Sequence, residues 1–289
     1  GIRDRSPSRG LGDVYKRQII PPEIGRLMSL THLYLGGNQV GEIPPEIGQL
    51  TSLTHLGLSY NQIGEIPPGI GQLIDLTELY LEGNKIGEIP SQIGDLINLT
   101  SLNLKNNNLT NLPPEISKLS KLQSLNLYQN RFREFPEIVT HLSNLQQLHL
   151  DDNQLRDFPP TIKNLTKLEQ LWLVGNALRQ LPIELGQLTS LTELHLGRNS
   201  IYQVPSELGN LTRLISLNLS HNRLTEIPPG ILGLRQLETL NLNGNVRSEI
   251  VTDFGKLLTY REQMEQAVER AEVAQEQAEI LRQEAVGAR

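Results

Sequence analysis

The chain has 289 residues with a formal net charge of −6, no cysteine and only 4% aromatic residues. Without cysteine it has no disulfide, no thiolate metal site and no cysteine nucleophile, which fits a reducing compartment. The acidic balance argues against a general binder of nucleic-acid phosphates. No apolar run approaches the roughly 18 to 20 residues that a membrane-spanning helix needs. We therefore expect a cytoplasmic protein whose partners include neither nucleic acid nor membrane.

Residues 1–18 lie outside the periodic pattern that organises the rest of the chain. Their closing letters, VYKRQ, resemble translated adapter sequence, so we expect a non-native leader and leave it out of the fold. The alternative is a genuine disordered basic arm, because four Arg and one Lys stand there among Ser, Pro and Gly.

From residue 19 to residue 257 the chain repeats one unit about ten times, after a partial first copy that starts at Ile20. The leucine-rich stretch that opens each full copy ends on an asparagine, and neighbouring asparagines are 61 − 38 = 23 residues apart. A fixed period of this size predicts a solenoid, in which each repeat packs on its neighbours. The closing asparagines are Asn38, Asn61, Asn84, Asn107, Asn130, Asn153, Asn176, Asn199, Asn222 and Asn245.

Each unit reads L-x-x-L-x-L-x-x-N, as at Leu53, Leu56, Leu58 and Asn61. The alternation in L-x-L predicts a short strand with its leucines inward and the intervening residues outward. An asparagine at a fixed turn position can satisfy backbone groups, so we expect the asparagines to form a hydrogen-bonded ladder along the coil. Proline follows in nine copies. There it should end the extended segment and open a short helical or 3₁₀ return on the outer side.

These residues resemble the leucine-rich-repeat family, and the match covers roughly residues 20–257. The period of 23 and the Leu/Ile-Pro-x-x-Ile segment are similar to bacterial or cyanobacterial and intracellular Ras-group members of that family. The resemblance implies an α/β fold, namely a right-handed solenoid with a parallel sheet on its concave side, followed here by a C-terminal α-helix. Ten strands at the ~4.8 Å spacing of parallel strands would make a concave surface ~45 Å long.

Residues 258–289 change in composition to Glu, Gln, Ala and Arg. The tenth copy decays just before them, with Arg247 in place of an apolar residue and Val251 in place of proline. An Ala-rich heptad pattern that starts with Leu257 and Met264 predicts a helix. Its first turns should cap the end of the solenoid. The remainder is a coiled coil or a linker, and as a coiled coil it would allow self-association.

No catalytic, cofactor or metal set has the spacing that its chemistry needs. The glycines stand at repeat positions, where turn geometry explains them. His32 and His55 occupy the same outward column on neighbouring strands, but a metal site there lacks further ligands of suitable type. We therefore predict a protein that is not an enzyme and that has no catalytic, cofactor-binding or metal residues.

The outward strand columns are informative, because the fold requires no large apolar group there. Trp172, the only Trp of the chain, stands four residues before Asn176 and so faces outward. Exposed aromatic residues with Arg and His around them have the composition of a binding hot spot, whereas a single exposed apolar residue is normal. The predicted partner-binding residues are Tyr128, His149, Asp151, Trp172, Val174, His195 and Arg198, with Tyr34 and Tyr80 in a second, smaller cluster.

Three functions are consistent with these residues. The first is a non-catalytic interaction module that binds a protein or peptide on the concave face, as part of a longer signalling or scaffold protein. The second is the sensor or regulatory region of a multidomain enzyme, since the resembling families include GTPase, kinase and ubiquitin-ligase domains. The third is an extracellular receptor, and the lack of cysteine and of a signal peptide makes it the weakest of the three.

Overall fold

The computed structural model describes residues 19–226 and 229–245, together with the isolated positions 266 and 270. Ten strands of three residues form one sheet, in which every neighbouring pair is parallel and follows chain order. Equivalent residues of successive repeats therefore stand side by side. The strands are β1 (His32–Tyr34), β2 (His55–Gly57), β3 (Glu78–Tyr80), β4 (Ser101–Asn103), β5 (Ser124–Asn126), β6 (Gln147–His149), β7 (Gln170–Trp172), β8 (Glu193–His195), β9 (Ser216–Asn218) and β10 (Thr239–Asn241).

The return segments are 3₁₀ helices of five residues, one before each strand. Proline stands at the N-cap of the first nine, as at Pro44 with φ −70° and ψ 147°, so the extended segment ends where the sequence predicts. The helices are η1 (Pro22–Arg26), η2 (Pro45–Gln49), η3 (Pro68–Gln72), η4 (Ser91–Asp95), η5 (Pro114–Lys118), η6 (Glu137–His141), η7 (Pro160–Asn164), η8 (Ile183–Gln187), η9 (Ser206–Asn210) and η10 (Pro229–Gly233).

The α/β class predicted above is refined by these segments. Within residues 19–226 and 229–245 the helical part is 3₁₀ and not α, which fits return segments of only five residues. The predicted C-terminal helix and coiled coil, residues 258–289, lie outside the described residues. The predicted leader, residues 1–18, and the end of the solenoid, residues 246–257, lie outside them as well.

One continuous hydrophobic core runs through the repeats. In the inner repeats the three leucines are buried, as Leu53, Leu56 and Leu58 show with 0% exposure, whereas those of the first repeat are only partly buried. Ile47 and Leu50, from the preceding return segment, close the same layer from the other side. Aliphatic side chains thus fill most of the core, and a few phenylalanines, among them Phe132, complete it.

The asparagine ladder is present, and its bonds run between each asparagine and the backbone of the preceding repeat. Asn130 donates through Nδ2 to the carbonyl oxygens of Leu104 and Leu127, at 2.9 and 3.1 Å. Its Oδ1 accepts the backbone N–H of Leu109 at 3.0 Å. Asn38, in the first repeat, bonds only within its own turn. Each later asparagine therefore joins two repeats, and its Oδ1 accepts a backbone N–H that would otherwise lack a partner.

The residue just before each ladder asparagine has a positive φ, between 46° and 72°. Four of these ten positions are glycine, for example Gly37 and Gly83. The other six hold larger side chains, among them Tyr60 and Arg198, in the left-handed region that L residues seldom adopt. The turn that ends each strand is therefore the same in every described repeat, whichever residue occupies it.

Candidate interaction surface

The outward side of the sheet is the candidate site. We call it the strand face and define it by the residues six, four and two positions before each ladder asparagine, such as His55, Gly57 and Ser59 before Asn61. The strand residues among them alternate with buried leucines, so their side chains stand on one surface. Because equivalent residues of neighbouring repeats pair in register, these side chains form three straight rows across the ten strands.

A stack of three rings occupies the middle row of this face. Trp172 on β7 pairs in register with His149 on β6 and with His195 on β8. The Trp172 ring centroid lies 5.3 Å from that of His149 and 4.0 Å from that of His195, with interplanar angles of 30° and 32°. We call these three residues the Trp172 stack. An imidazole covers the indole on each side, so the stack forms a rigid, largely apolar ridge across three strands.

The indole nitrogen of the stack has no hydrogen-bond partner. Nε1 of Trp172 is buried, and among the described side chains it is the only fully buried nitrogen or oxygen without a partner. A buried donor that loses its water without gaining an acceptor costs about 1–3 kcal/mol. The strand face therefore carries a local destabilisation at its most aromatic point.

Two carboxylates border the stack. Glu193 on β8 contacts His195, with Oε2 at 3.2 Å from Nε2, and accepts a hydrogen bond from Gln170 at 3.0 Å through its other oxygen. Asp151 lies two residues after His149, with 3.9 Å between Oδ2 and the imidazole Nδ1. Each histidine of the stack therefore has a carboxylate beside it.

Burial changes the acid–base behaviour of this region. Asp151 is only 8% exposed, and burial raises the pKa of its carboxyl from 3.8 to about 6, although its Oδ1 accepts the backbone N–H of Val174 at 2.8 Å. Burial likewise lowers the pKa of His149 below its usual 6.5. The neutral imidazole is thus favoured, which suits a ring that stacks on an indole.

Tyr128 continues the site one strand before His149. Nζ of Lys105 lies 4.8 Å from the centroid of the Tyr128 ring, within the range of a cation–π interaction. Burial, followed by a hydrogen bond to Asp152, raises the pKa of the Tyr128 hydroxyl. The row two positions before the ladder therefore places Lys105, Tyr128 and Asp151 next to one another on successive repeats.

A second cluster lies at the start of the sheet. His32 and His55 stack in parallel with centroids 4.3 Å apart, as their shared column predicts. The hydroxyl of Tyr80 donates to Glu78 at 2.5 Å, and this contact, together with burial, raises the pKa of Tyr80 to about 12. Tyr34 is 61% exposed. This cluster contains more solvent-accessible aromatic surface and stands four strands from β7.

The predicted residues thus separate into groups. His149, Asp151, Trp172, Val174 and His195 come together, with Val174 contributing its backbone N–H, and Tyr128 lies one strand away; Tyr34 and Tyr80 belong to the second cluster. Arg198 occupies the left-handed turn after β8, with φ 54°, and is exposed at the edge of the strand face.

Sequence reasoning noted His32 and His55 in the row that stands six positions before the ladder but not the other polar residues of that row. Glu193, Gln170 and Glu78 belong to it, and they make the polar contacts that surround both clusters. The signal was available, because the same two-residue alternation that faces Trp172 outward also faces these residues outward.

The described residues contain no group of three or more His, Asp or Glu side chains arranged to hold a metal ion. Among the helices that the structure describes, none has the length and hydrophobicity to cross a bilayer. What the strand face offers is a broad surface of ring edges, hydroxyls and carboxylates.

Comparison with known families now identifies the repeat. A family model described as a leucine-rich repeat region matches residues 15–104 and 88–199, and a second, described as leucine rich repeat, matches residues 189–246. This chain belongs to the leucine-rich-repeat family. The resemblance drawn from the L-x-x-L-x-L-x-x-N units is thereby confirmed. A comparison with curated protein sequences finds no match.

Solved structures of the same family resemble this fold. A leucine-rich-repeat protein of Leptospira interrogans is 33% identical with a TM-score of 0.60, over 83% of this chain and 73% of its own. A TDR receptor is 34% identical with a TM-score of 0.70, over 78% of this chain and 41% of its own. The ectodomain of the Arabidopsis thaliana receptor kinase GASSHO1/SCHENGEN3, in complex with Casparian strip integrity factor 2, is 29% identical with a TM-score of 0.53, over 80% of this chain and 35% of its own. This chain thus spans well under half the length of either receptor structure.

Proposed function

We propose that this chain is a non-catalytic protein-interaction module that binds a protein or peptide segment on its strand face. The family and its solved relatives support a general protein-binding role, and the GASSHO1/SCHENGEN3 ectodomain was crystallised with its named partner. A solenoid of this kind has an extended surface that no single repeat provides, which suits an extended ligand.

The observation that carries this proposal is the Trp172 stack. Residues that dominate binding energy are typically Trp, Tyr and Arg near the centre of an interface. The stack holds the indole between two imidazoles, so the ring loses little conformational freedom when a partner packs on its edge. A partner would also exclude water from Glu193, which strengthens the electrostatic interactions of this carboxylate.

The setting of the module is part of the proposal. We place the binding surface on the concave side of the solenoid and the module in a longer cytoplasmic signalling or scaffold protein. The likeness to a receptor-kinase ectodomain favours one alternative, in which the chain is the sensor or regulatory region of a multidomain enzyme. A kinase or P-loop signature in the same reading frame would support that alternative.

A peptide selection tests the binding surface without a known partner. Peptides would be selected from a random phage-displayed library on the wild-type chain, and their affinities remeasured on Trp172→Ala. We expect losses of about thirtyfold or more, the size of a hot-spot truncation. The matched control is Ile183→Ala, which removes a similarly apolar side chain, 57% exposed, from a return segment. Selected peptides that bind Trp172→Ala as tightly as wild type would refute the proposed site.

A further inference from the structure

The strand face is acidic and nearly free of basic side chains. Its carboxylates are Glu78, Glu82, Asp151 and Glu193. Among the strand-face positions of the ten described strands, Lys105 is the only Lys or Arg. The surface potential of this face is therefore negative, and complementary charge steers and orients a partner.

Two of these carboxylates flank Tyr80 and are held in place by neighbours. Glu78 accepts the Tyr80 hydroxyl through one oxygen, at 2.5 Å, and its other oxygen lies 3.5 Å from Nε2 of His55. Glu82, beyond the end of β3, accepts a hydrogen bond from the side-chain amide of Asn103. In the described part of the chain neither carboxylate has a Lys or Arg within ion-pair distance. Both are thus fixed acceptors with capacity left for a cation, and little ordering cost remains for binding.

Open aromatic surface adjoins these carboxylates. Gly57 on β2 pairs in register with Tyr34 on β1 and with Tyr80 on β3. A Cβ atom at Gly57 would stand 2.6 Å from Cδ1 of Tyr34, so the Tyr34 ring covers this glycine and lies next to Tyr80. Tyr34 is 61% exposed and Tyr60, in the following turn, is 57% exposed. Carboxylates beside exposed aromatic rings match the two features that bind a Lys or Arg side chain, charge pairing and cation–π attraction.

We propose that the partner segment is basic, with a Lys or Arg side chain over Tyr80 between Glu78 and Glu82 and an apolar side chain on the Trp172 stack. From β3 to β7 there are four strand spacings of ~4.8 Å, about 19 Å in all. An extended chain that rises ~3.3 Å per residue covers this distance in about six residues. Lys105 lies between the two anchors and disfavours a second basic residue midway. The inference rests on the proposed function, because the Trp172 stack supplies the second anchor.

The basic anchor is tested by itself with small probes. N-acetyl-arginine methylamide and its neutral citrulline counterpart would be titrated into the ¹⁵N-labelled full chain, with the amide shifts of Gly57, Tyr80 and Glu82 as readout. We expect the arginine probe to bind there about threefold or more tightly than citrulline, as an exposed ion pair with a cation–π contact allows. The preference should disappear in ~1 M salt.

Carboxamide variants locate the effect. Glu78→Gln with Glu82→Gln keeps an acceptor for Tyr80 and Asn103 and should abolish the arginine preference. The control is Glu88→Gln, an exposed carboxylate of the same repeat that lies off the strand face, and it should leave the preference intact. Equal binding of arginine and citrulline, or arginine shifts that survive in the double variant, would overturn the basic anchor.

Peptides then test the spacing. Flexible peptides would carry one Arg and one Leu about three, about six or about nine residues apart, with Trp172 fluorescence as readout because it is the only Trp. The tightest binding should occur at about six residues. No response of Trp172 fluorescence to any of these peptides, with the arginine preference intact, would place the failure in the proposed function alone. Lost arginine selectivity with an intact Trp172 response would place it in the basic anchor. Binding that ignores the spacing would overturn the two-anchor arrangement.

Discussion

Replacing Asp151 with asparagine should stabilise this protein at neutral pH. Burial raises the carboxyl pKa from 3.8 to about 6, so between about pH 4 and pH 6 the folded state binds more protons than the unfolded state. The free energy of unfolding therefore falls as the pH rises through this window, and above about pH 6 the full cost of the buried charge is present. A shift of about two pKa units corresponds to about 3 kcal/mol. Asparagine removes the charge and keeps an acceptor for the N–H of Val174.

Urea unfolding at about pH 4 and about pH 7.5 measures this difference. Trp172 fluorescence is the natural probe, because the indole stands on the strand beside His149 and Asp151. We expect Asp151→Asn to gain up to about 3 kcal/mol over wild type at the higher pH and much less at the lower pH. The control is Asp157→Asn, an exposed carboxylate of the same repeat. A variant no more stable than wild type at pH 7.5, or a gain that does not change with pH, would refute the reasoning.

Two further predictions concern the fold. Asn130→Ala leaves the backbone N–H of Leu109 without its acceptor and should cost about 1–3 kcal/mol in thermal or urea unfolding. The carbonyl oxygens of Leu104 and Leu127 still accept from Asn107 and Asn153. Asn38→Ala, which lacks bonds to a preceding repeat, should cost less than about 1 kcal/mol. Equal losses at both positions would contradict the role of the ladder between repeats. Gly94→Ala places a Cβ 2.5 Å from the backbone oxygen of Glu115 and should cost about 1–3 kcal/mol, but Gly87→Ala meets nothing within 4 Å and should be nearly neutral. If Gly94→Ala is as stable as wild type, the prediction is wrong and neighbouring return segments can move apart to accommodate a methyl group.

The inward half of the fold could be predicted from the sequence because one physical requirement recurs in every repeat. Leu53, Leu56 and Leu58 must fill a layer of fixed thickness, so their phase determines the strand. Asn61 was correctly assigned to a ladder, although a pattern of letters does not tell which groups it bonds. The bonds run to the backbone of the preceding repeat, where Nδ2 of Asn61 donates to the carbonyl oxygen of Leu35. This partner depends on how the repeats stack and not on the sequence of one repeat. Whether a return segment forms a 3₁₀ helix or another helical turn also depends on the distance that the segment must span, which residue helix propensities do not determine.

The sequence predicted which side chains lie on the strand face but not which of them contact one another. The phase of Asn176 placed Trp172 on the strand face, but stacking between two imidazoles depends on rotamers that no spacing specifies. Glu193 was missed because no column spacing indicates which carboxylate contacts an imidazole. Arg198, predicted to lie around Trp172, occupies the turn after β8. The glycine at the equivalent Gly83 is a sign that this column requires a positive φ and forms a turn.

The effect of strand-face residues on the free energy of unfolding distinguishes a surface shaped for binding from one whose residues vary freely. Exposed positions away from special features usually change stability by less than about 0.5 kcal/mol, so a repeat protein can place almost any polar residue there. Ser59 and Gly36 occupy the same column as Asp151 and satisfy the fold without a buried charge. Asp151 and the unpartnered Nε1 of Trp172 instead destabilise the folded state, and both lie at the ring stack. Perturbed pKa values and destabilising groups of this kind concentrate at functional sites, where residues are not optimised for stability. The stability gain predicted for Asp151→Asn should therefore be accompanied by weaker binding of any partner selected on the wild-type strand face.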